Sequence, residues 1–428
     1  MNEPSKSQWQ LIPRLRNIIL AGLIANVFFL WIQVDPHPKN TFLCDPIERF
    51  SDFTNWIQYQ NYTRYHLYAE WGSPPFSLLI ATFWKEVAVV VGPLASFCLY
   101  SAVCLALHSR IVFHELGRWG GRPDFSTWAI LSFLSYPVIF AFDRGNPAWM
   151  VYLSIYAFFY FCRKERYQWA AFFLAMAISL KIVPVLLLFY FFYKGKWIPA
   201  ACTLLETALF TFAGYFVVSH FFHGDYSMAL FINGLKSYHA AYVVGGLGLA
   251  FSCSFFSLVV LGLQFCAHVF NLSTTPLSWT ATALPYCNVL TLGMLACVCG
   301  WAWLRRRTMS EFKVSSLLIL FLLLVPPVMA NYYLLLCYLL FFDLLRLDLS
   351  SIPFKIYSIC LGLLMIPKAY FVFFGNVNLD VFLNPLLLVV LLCCLLLSER
   401  RQVQLKDIQA KTRKNPTALP ASMAGHAS

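Results

Sequence analysis

The sequence predicts an all-α polytopic membrane protein, and two features of the chain lead to this prediction. Hydrophobic residues make up 60% of its 428 residues and charged residues only 12%, whereas a soluble domain carries roughly 25% charged residues. Apolar runs near or above the length that crosses a bilayer, roughly 17 to 25 residues, recur along the chain. We count about 11 such runs and expect between about 9 and about 13 transmembrane helices.

The apolar runs follow one another in order along the chain. They cover residues 17–34, 90–111, 125–142, 147–162, 168–193, 197–219, 246–269, 283–304, 314–342, 353–373 and 381–397. Because no polar region between them is long enough to bury a core, we expect residues 1–397 to form one integral membrane domain. Residues 398–428 are basic at first and then rich in Pro, Ala and Ser, which predicts a disordered cytoplasmic tail.

The excess of basic residues predicts how these helices are oriented. The net charge is +12, but Lys and Arg stand in short clusters beside the apolar runs. This pattern is typical of cytoplasmic loops and does not indicate a nucleic-acid partner. It places the N-terminus in the cytoplasm and residues 35–75 outside. Lys194 and Lys196 conflict with a single crossing over residues 168–193, so this run either breaks near Lys181 and returns or violates the charge rule.

The outer loop over residues 35–75 is the one long polar interruption near the start of the chain. Asp52, Trp56 and Tyr59 fall at helical spacing within it. This spacing predicts a short interfacial helix with its aromatic side chains at the headgroup level. A purely anchoring role is the alternative for the aromatic residues.

A tight turn between the third and fourth runs holds Asp143, Arg144 and Asn146. Charge counting places this turn on the same outer face as Asp52. Two charged residues between two spans cost free energy unless they pair with each other or serve a function. Either Asp143 bridges Arg144 in a structural turn, or the turn binds an anion.

Lys181 stands inside the fifth apolar run, where an unpaired ammonium costs several kcal/mol. Counting about 13 residues from an inner start places it roughly 20 Å across the membrane, at a depth where it could meet a lipid phosphate. Snorkelling without function is the alternative, and Pro184 marks a kink or break.

Two prolines also interrupt the ninth run, at Pro326 and Pro327. Broken helices are tolerated in membranes where they line a cavity. We therefore expect Asn331 and Tyr332 to face a polar substrate, with a structural kink as the alternative.

Several of these short motifs are informative when they are taken together. They are an outer-loop acid, a proline pair before the second span, an Arg-Gly-Asn turn and a Lys-x-x-Pro break with a basic-Trp exit, here Asp52, Pro74-Pro75, Arg144–Asn146, Lys181–Pro184 and Lys194–Trp197. In this combination they resemble bacterial glycosyltransferase family 87. The resemblance implies a GT-C-like fold with a large first outer loop and a polyprenyl-phosphate sugar as donor, typically of mannose or arabinose.

The resemblance implies that Asp52 is the catalytic acidic residue. Asp45, Glu48 and Glu70 are the other carboxylates of the outer loop that could act as the base, and Asp45 is the second choice. An acceptor hydroxyl must lose its proton as it attacks, and a carboxylate within reach is the usual general base. Lysine or arginine can stabilise a leaving lipid phosphate in place of a metal, and Lys181 and Arg144 are the candidates. The expected substrate-binding residues are Asp143, Asn146, Trp56, Tyr59, Asn331 and Tyr332.

We therefore expect inverting, metal-independent transfer of a hexose or pentose, with mannose favoured, to a lipid-linked or cell-envelope glycan acceptor. No cofactor is expected besides the lipid-phosphate sugar donor. His220, His223 and Asp225 have a spacing that could suit a metal, but no second ligand pair accompanies them. The expected location is a bacterial inner membrane with the active site facing the periplasm, or the ER membrane in a eukaryote.

Two other classes of function stay open at this point. A transporter or flippase of lipid-linked sugar would also have broken helices and intramembrane charges, but it should show internal repeats. We find no second copy of the Asp52 loop. A non-catalytic GT-C-like binding protein is the third possibility.

Overall fold

Helices make up almost the whole of the computed structural model. The structure describes residues 6–32, 50–58, 74–120, 124–221, 228–270, 276–345, 351–368, 372–374 and 377–397. These residues form α1 to α17, in order Lys6–Ile32, Ser51–Ile57, Pro75–Val91, Pro93–Gly120, Phe125–Ala129, Tyr136–Arg144, Ala148–Arg163, Tyr167–Leu180, Leu188–Tyr193, Trp197–Phe221, Met228–Tyr238, Phe255–Val269, Pro276–Leu304, Glu311–Leu324, Cys337–Leu344, Ser351–Leu364 and Leu379–Leu397.

Short segments of other geometry interrupt or extend these helices. The π-helical segments are Ile130–Leu134 and His239–Val244. The 3-10 helical segments are Val183–Leu187, Leu247–Phe251 and Asn331–Leu336. The described residues also contain one small antiparallel hairpin, with strands β1 (Val372–Phe374) and β2 (Val377–Asn378) just before α17.

The predicted helical membrane class is confirmed, but the count of about 11 spans is not. Among the described residues, 4 helices are long and apolar enough to cross a membrane, or up to 5 if one bent pair counts as a single span. The count is lower because several predicted runs are divided into shorter apolar helices. The structure also contains α3, a helix before the second predicted run that hydropathy did not identify.

The bent pair consists of α5 with its π segment and α6, which meet at 43°. Asp124 caps the start of α5 by accepting hydrogen bonds from Ser126 Oγ (2.5 Å) and from the backbone and side chain of Thr127 (2.8 and 2.7 Å). These bonds, the one from Ser126 first, lower the pKa of the Asp124 carboxyl to about 2. The bend falls at Ser135, just before Pro137, which has no N–H to continue the helical ladder.

The run over residues 168–193 does not cross the membrane as one helix. Pro184 has no N–H to donate to the carbonyl of Leu180. The helix α8 ends at Leu180. The chain resumes as a 3-10 turn and α9, after which the Lys196 ammonium lies 4.7 Å from the ring centroid of Tyr167, the first residue of α8. The two ends of the run are therefore adjacent. We call this re-entrant segment, residues 167–193, the lysine hairpin, because Lys181 lies at its tip.

The run over residues 314–342 is divided in the same way. The prolines after α14 stop that helix, and the chain returns through the 3-10 turn and α15. Near the two ends, Ser315 and Ser316 both donate hydrogen bonds to Asp343. We call residues 311–344 the tyrosine hairpin, because Tyr332 and Tyr333 follow its tip.

The open ends of both hairpins lie at one end of the molecule, which we call the basic end. Arg163, the last residue of α7, forms ion pairs with Glu115 (4.0 Å) and Asp343 (3.9 Å). Lys194, after the lysine hairpin, pairs with Glu311 at the start of the tyrosine hairpin. The conflict over Lys194 is resolved, because a hairpin that returns leaves this lysine on the side where it began.

The helix α7 connects the basic end with the opposite end, where Asn146 precedes it. Its 16 residues give a length of about 24 Å. Large side chains such as Trp149 and Phe158 are buried on several sides of it. A helix that is apolar all round belongs inside a bundle. The buried helix α7 therefore links residues of the basic end to residues of the opposite end.

Candidate functional site

The short helix α2 is fixed to the turn that follows α6. Phe50, which precedes α2, has left-handed backbone geometry (φ 59°), and its N–H donates to the carbonyl of Asp143 at 2.7 Å. Gly145 in the turn is also left-handed (φ 65°), and a Cβ added there would lie 2.7 Å from Cβ of Phe53. The close approach of α2 therefore depends on glycine at this position.

Asp52 is held by an amide of known orientation. Asn146 Nδ2 donates to Asp52 Oδ2 at 2.8 Å, while Asn146 Oδ1 accepts from the N–H of Ala148 at 2.8 Å. The carbonyl of Asn146 also accepts from the Tyr100 hydroxyl at 3.0 Å. Because the amide oxygen is occupied by α7, the amide nitrogen must face the carboxylate of Asp52.

Arg144 lies beside the start of the same short helix. Its Nη1 donates to Ser51 Oγ at 3.3 Å, and its guanidinium stands 5.6 Å from the ring centroid of Phe140. Arg144 is buried, as is Asp143. Asp143 contributes its backbone carbonyl to the position of α2.

Lys181 reaches the same region from the tip of the lysine hairpin. Its ammonium lies 5.9 Å from the ring centroid of Tyr238, at the end of α11. The ammonium and the Asp52 carboxylate interact electrostatically. A cation predicted from its place in an apolar run is thus near the carboxylate predicted from the outer loop.

The tyrosine hairpin completes the site. Tyr332 and Tyr333 lie in the neighbourhood of the Asp52 carboxylate, and the Tyr332 ring stacks on Phe140 at 6.3 Å. The tips of both hairpins therefore lie at the same end of the molecule as α2. We call this group the tip site, and its members are Asp52, Arg144, Asn146, Lys181 and Tyr332.

Two tyrosines beside the tip site escaped the sequence analysis. Tyr333 stands next to the predicted Tyr332, so the same proline break could have identified it. The sequence did not decide on which side of the membrane Tyr238 lies, because this depended on whether the run over residues 168–193 crosses the membrane or returns. No motif marked Tyr238 either.

Trp56 lies on the face of α2 that packs against the rest of the protein. Its side chain is 3% exposed, and Nε1 donates to Ser77 Oγ at 3.2 Å. Its ring contacts those of Phe53 and Tyr100. Trp56 therefore packs α2 against the protein rather than presenting an aromatic ring to headgroups. Tyr59, like Asp45, lies outside the described residues.

Asn331 has its hydrogen bonds in a different cluster from its neighbour Tyr332. Its amide donates to Asp380 Oδ2 at 2.8 Å, and its oxygen accepts from Asn384 at 3.1 Å. It is 1% exposed. The structure therefore brings together five of the predicted site residues and places Asn331 behind them.

The candidate metal-binding residues are the last group to be placed. Within the ranges that the structure describes, no group of three or more His, Cys, Asp or Glu residues could hold a metal ion. His223 and Asp225 lie outside those ranges.

Comparison with known proteins gives one match. The family model described as glycosyltransferase family 87 matches residues 71–327, more than half of the chain. No curated protein and no solved structure matches the chain. The matched segment contains Arg144, Asn146 and Lys181, whereas Asp52 precedes it and Tyr332 follows it.

Proposed function

Because the chain belongs to glycosyltransferase family 87, we propose that the tip site transfers a sugar from a polyprenyl-phosphate donor to an acceptor hydroxyl. The sugar is a hexose or pentose, with mannose favoured. The acceptor is a lipid-linked or cell-envelope glycan. The reaction takes place on the outer face of the membrane, which is the periplasmic face of a bacterial inner membrane.

One observation supports this proposal above the others. The Asp52 carboxylate, fixed by Asn146 at 2.8 Å, interacts electrostatically with the Lys181 ammonium at the tip of a re-entrant hairpin. A base and a cation thus lie near each other on separate elements. Transfer from a lipid phosphate can use both charges, the base to take the proton of the acceptor and the cation to stabilise the departing phosphate.

The proposed reaction is a single displacement. The acceptor oxygen attacks the anomeric carbon and loses its proton to Asp52, which acts as general base. The bond between the anomeric carbon and the phosphate oxygen breaks at the same time, and its electron pair leaves with the lipid phosphate. Attack opposite the leaving group inverts the anomeric configuration.

Lys181 and Arg144 are proposed to hold the departing phosphate. The phosphate gains negative charge as the glycosidic bond breaks, and preorganised cations stabilise that charge most strongly in a water-poor site. A lipid phosphate leaves as a stable anion, so the mechanism needs no general acid. Asn146 keeps Asp52 in place, and the ring of Tyr332 is proposed to contact the sugar.

The depth of the site suits this donor. The α8 arm of the lysine hairpin has 14 residues, which carry Lys181 about 21 Å from the basic end. A donor phosphate at the opposite membrane surface can meet an ammonium at that depth, while its prenyl chain remains in lipid.

The proposal is tested by transfer of radiolabelled sugar from polyprenyl-phosphate mannose to endogenous lipid acceptors in membranes. Wild type and Asp52→Asn are compared at matched amounts of protein, with a chelator present. Removing a general base costs roughly 100-fold to 10,000-fold in rate, so we expect the variant to lose the labelled product. Glu165→Gln is the control, because it removes an exposed carboxylate at the basic end.

The outcomes separate the parts of the proposal. Loss of product in Asp52→Asn alone supports the base and a metal-independent reaction. Equal product from all three proteins removes Asp52 from the mechanism. Absence of product from the wild type contradicts polyprenyl-phosphate mannose as the donor.

A further inference from the structure

Behind the tip site lies a second group of polar side chains, which we call the Asp380 cluster. Each of its members is at most 4% exposed. Asp380, near the start of α17, accepts hydrogen bonds at Oδ2 from Asn331 Nδ2 (2.8 Å) and from the Tyr136 hydroxyl (3.4 Å). Asn384, one turn later, donates to Asn331 Oδ1 at 3.1 Å. The members are Tyr136, Asn331, Lys368, Asp380 and Asn384.

Lys368 supplies the positive charge of the cluster. Its ammonium donates to the carbonyls of Leu363 (2.6 Å) and Ile366 (2.9 Å) and lies 5.5 Å from the ring centroid of Tyr136. It interacts electrostatically with Asp380. The cluster therefore buries two opposite charges that come from the two sides of the β1–β2 hairpin.

Stability alone does not account for a cluster of this kind. Burial of an ion costs several kcal/mol, and apolar residues of similar volume are often as stable or more stable than a buried pair. Among the residues that the structure describes, no side chain donates a hydrogen bond to the buried Oδ1 atoms of Asp380 and Asn384. An under-satisfied buried group requires an explanation other than packing.

The contacts of the cluster lead to the tip site along two routes. One route runs through Asn331, whose next residue in the 3-10 turn is Tyr332. The other runs through Tyr136, which stacks on Phe140 at 5.5 Å, one turn before Arg144 in α6. The ring of Phe140 is the common partner, since both Tyr332 and Arg144 lie against it.

We propose that Asp380 is a positioning residue for the transfer reaction. Through Asn331 it holds the tyrosine hairpin, and through Tyr136 it holds α6. These two elements carry Tyr332 and Arg144 to the tip site, so a single carboxylate on α17 fixes their relative placement. This inference rests on the proposed function and extends beyond the family match, which ends at residue 327.

The test compares Asp380→Asn with Asp343→Asn in purified protein in lipid nanodiscs. Both residues are buried aspartates with a cationic neighbour and hydroxyl donors, but Asp343 lies at the basic end. A misplacement of about 1 Å can cost about 100-fold in rate. We expect Asp380→Asn to lower kcat by about that factor, with donor KM changed by less than about threefold. Asp343→Asn is expected to lower the unfolding temperature while its kcat stays at the wild-type value.

A partner exchange distinguishes positioning from loss of folded protein. The double variant Asp380→Asn with Asn331→Asp restores one carboxylate and one amide at exchanged positions. We expect the kcat of the double variant to be at least about tenfold higher than that of Asp380→Asn, because the tyrosine hairpin and α17 are joined again. Tyr136→Phe, which removes only one hydroxyl, is the further variant if Asp380→Asn does not accumulate as folded protein. It is expected to lower kcat per folded molecule, with a smaller fall in the unfolding temperature than Asp343→Asn shows.

The result that would overturn the inference is a wild-type kcat per folded molecule in both Asp380→Asn and Tyr136→Phe. Failure of the folded double variant to recover activity would also overturn it. Asp52→Asn is measured in the same series. If it keeps full activity, the proposed base is wrong, whereas an inactive Asp52→Asn beside a fully active Asp380→Asn contradicts only the positioning role.

Discussion

The two ends of the molecule use charged residues in different ways. At the basic end, Arg163 joins Glu115 to Asp343, and Lys194 joins Glu311, so ion pairs fasten the open ends of the hairpins to neighbouring helices. At the opposite end, Asp52 accepts a hydrogen bond from a neutral amide and interacts at longer range with a lysine.

Left-handed residues occur at both ends, Phe50 and Gly145 at the tip site and Glu165 and Gly195 at the basic end. The backbone of the tip site differs in that two helices break there, at the tips of the two hairpins. Broken helices in membranes are tolerated where they line a cavity. The comparison therefore indicates that charges at the basic end maintain the fold and charges at the tip site serve chemistry. The variants below test this division, in order of their expected effect on transfer.

Lys181→Gln is expected to have the largest effect of these variants. It removes the cation at the tip of the lysine hairpin, and loss of one group that stabilises transition-state charge costs roughly 100-fold to 1,000-fold in kcat. Steady-state transfer kinetics with purified donor measure this loss. Lys181→Arg should recover part of the rate.

Lys196→Gln is the matched control for that variant. It removes a lysine from the other end of the same hairpin, where the ammonium lies against Tyr167. Its transfer rate should equal the wild-type rate. Equal losses in both lysine variants would contradict a special role for the tip.

Gly145→Ala is expected to have an intermediate effect. Its Cβ would lie 2.7 Å from Cβ of Phe53 and 2.8 Å from the Phe97 ring, so α2 must move and Asp52 must move with it. We expect about a tenfold loss of transfer, since small misplacements of reacting groups are costly. The initial rate per folded molecule measures it.

Gly195→Ala separates steric displacement of α2 from backbone strain. Gly195 is also left-handed (φ 68°), but an added Cβ would meet nothing within 4 Å. Both variants carry the same left-handed penalty of about 1 kcal/mol. A similar loss of transfer in both would show that the contact with Phe53 is unimportant.

Arg163→Met is expected to have the smallest effect on transfer and a clear effect on stability. Breaking a buried charge network by removing one partner costs about 3 kcal/mol, and Arg163 joins two buried carboxylates. The unfolding temperature in detergent should fall while the transfer rate per folded molecule stays the same. A tenfold loss of transfer at unchanged stability would reverse the division between the two ends.

Much of the tip site was predictable from residue type and position. Asp52, Arg144, Asn146 and Lys181 are polar residues beside or inside apolar runs, and such residues require a partner or a function. Their approach to one another in space was not predictable. Hydropathy records how long an apolar run is but not whether the chain turns within it, and both hairpins are hidden in runs of spanning length.

The position of Asn331 shows the same limit at a single residue. The two prolines before Asn331 correctly indicate an irregular segment among polar side chains. Its partner Asp380, however, lies 49 residues later, and no local pattern connects the two. Only the placement of α17 beside the tyrosine hairpin decides that Asn331 faces Asp380 and Tyr332 lies near Asp52.

The central claim is that Asp52 acts in the chemical step, and single-turnover transfer tests it most directly. Purified wild type and Asp52→Asn are mixed with saturating donor and acceptor, and donor Kd is measured in parallel. Our account predicts a donor Kd within about twofold of the wild type and a rate lower by about 1,000-fold. An unchanged rate, or a loss of rate fully explained by weaker donor binding, would contradict it.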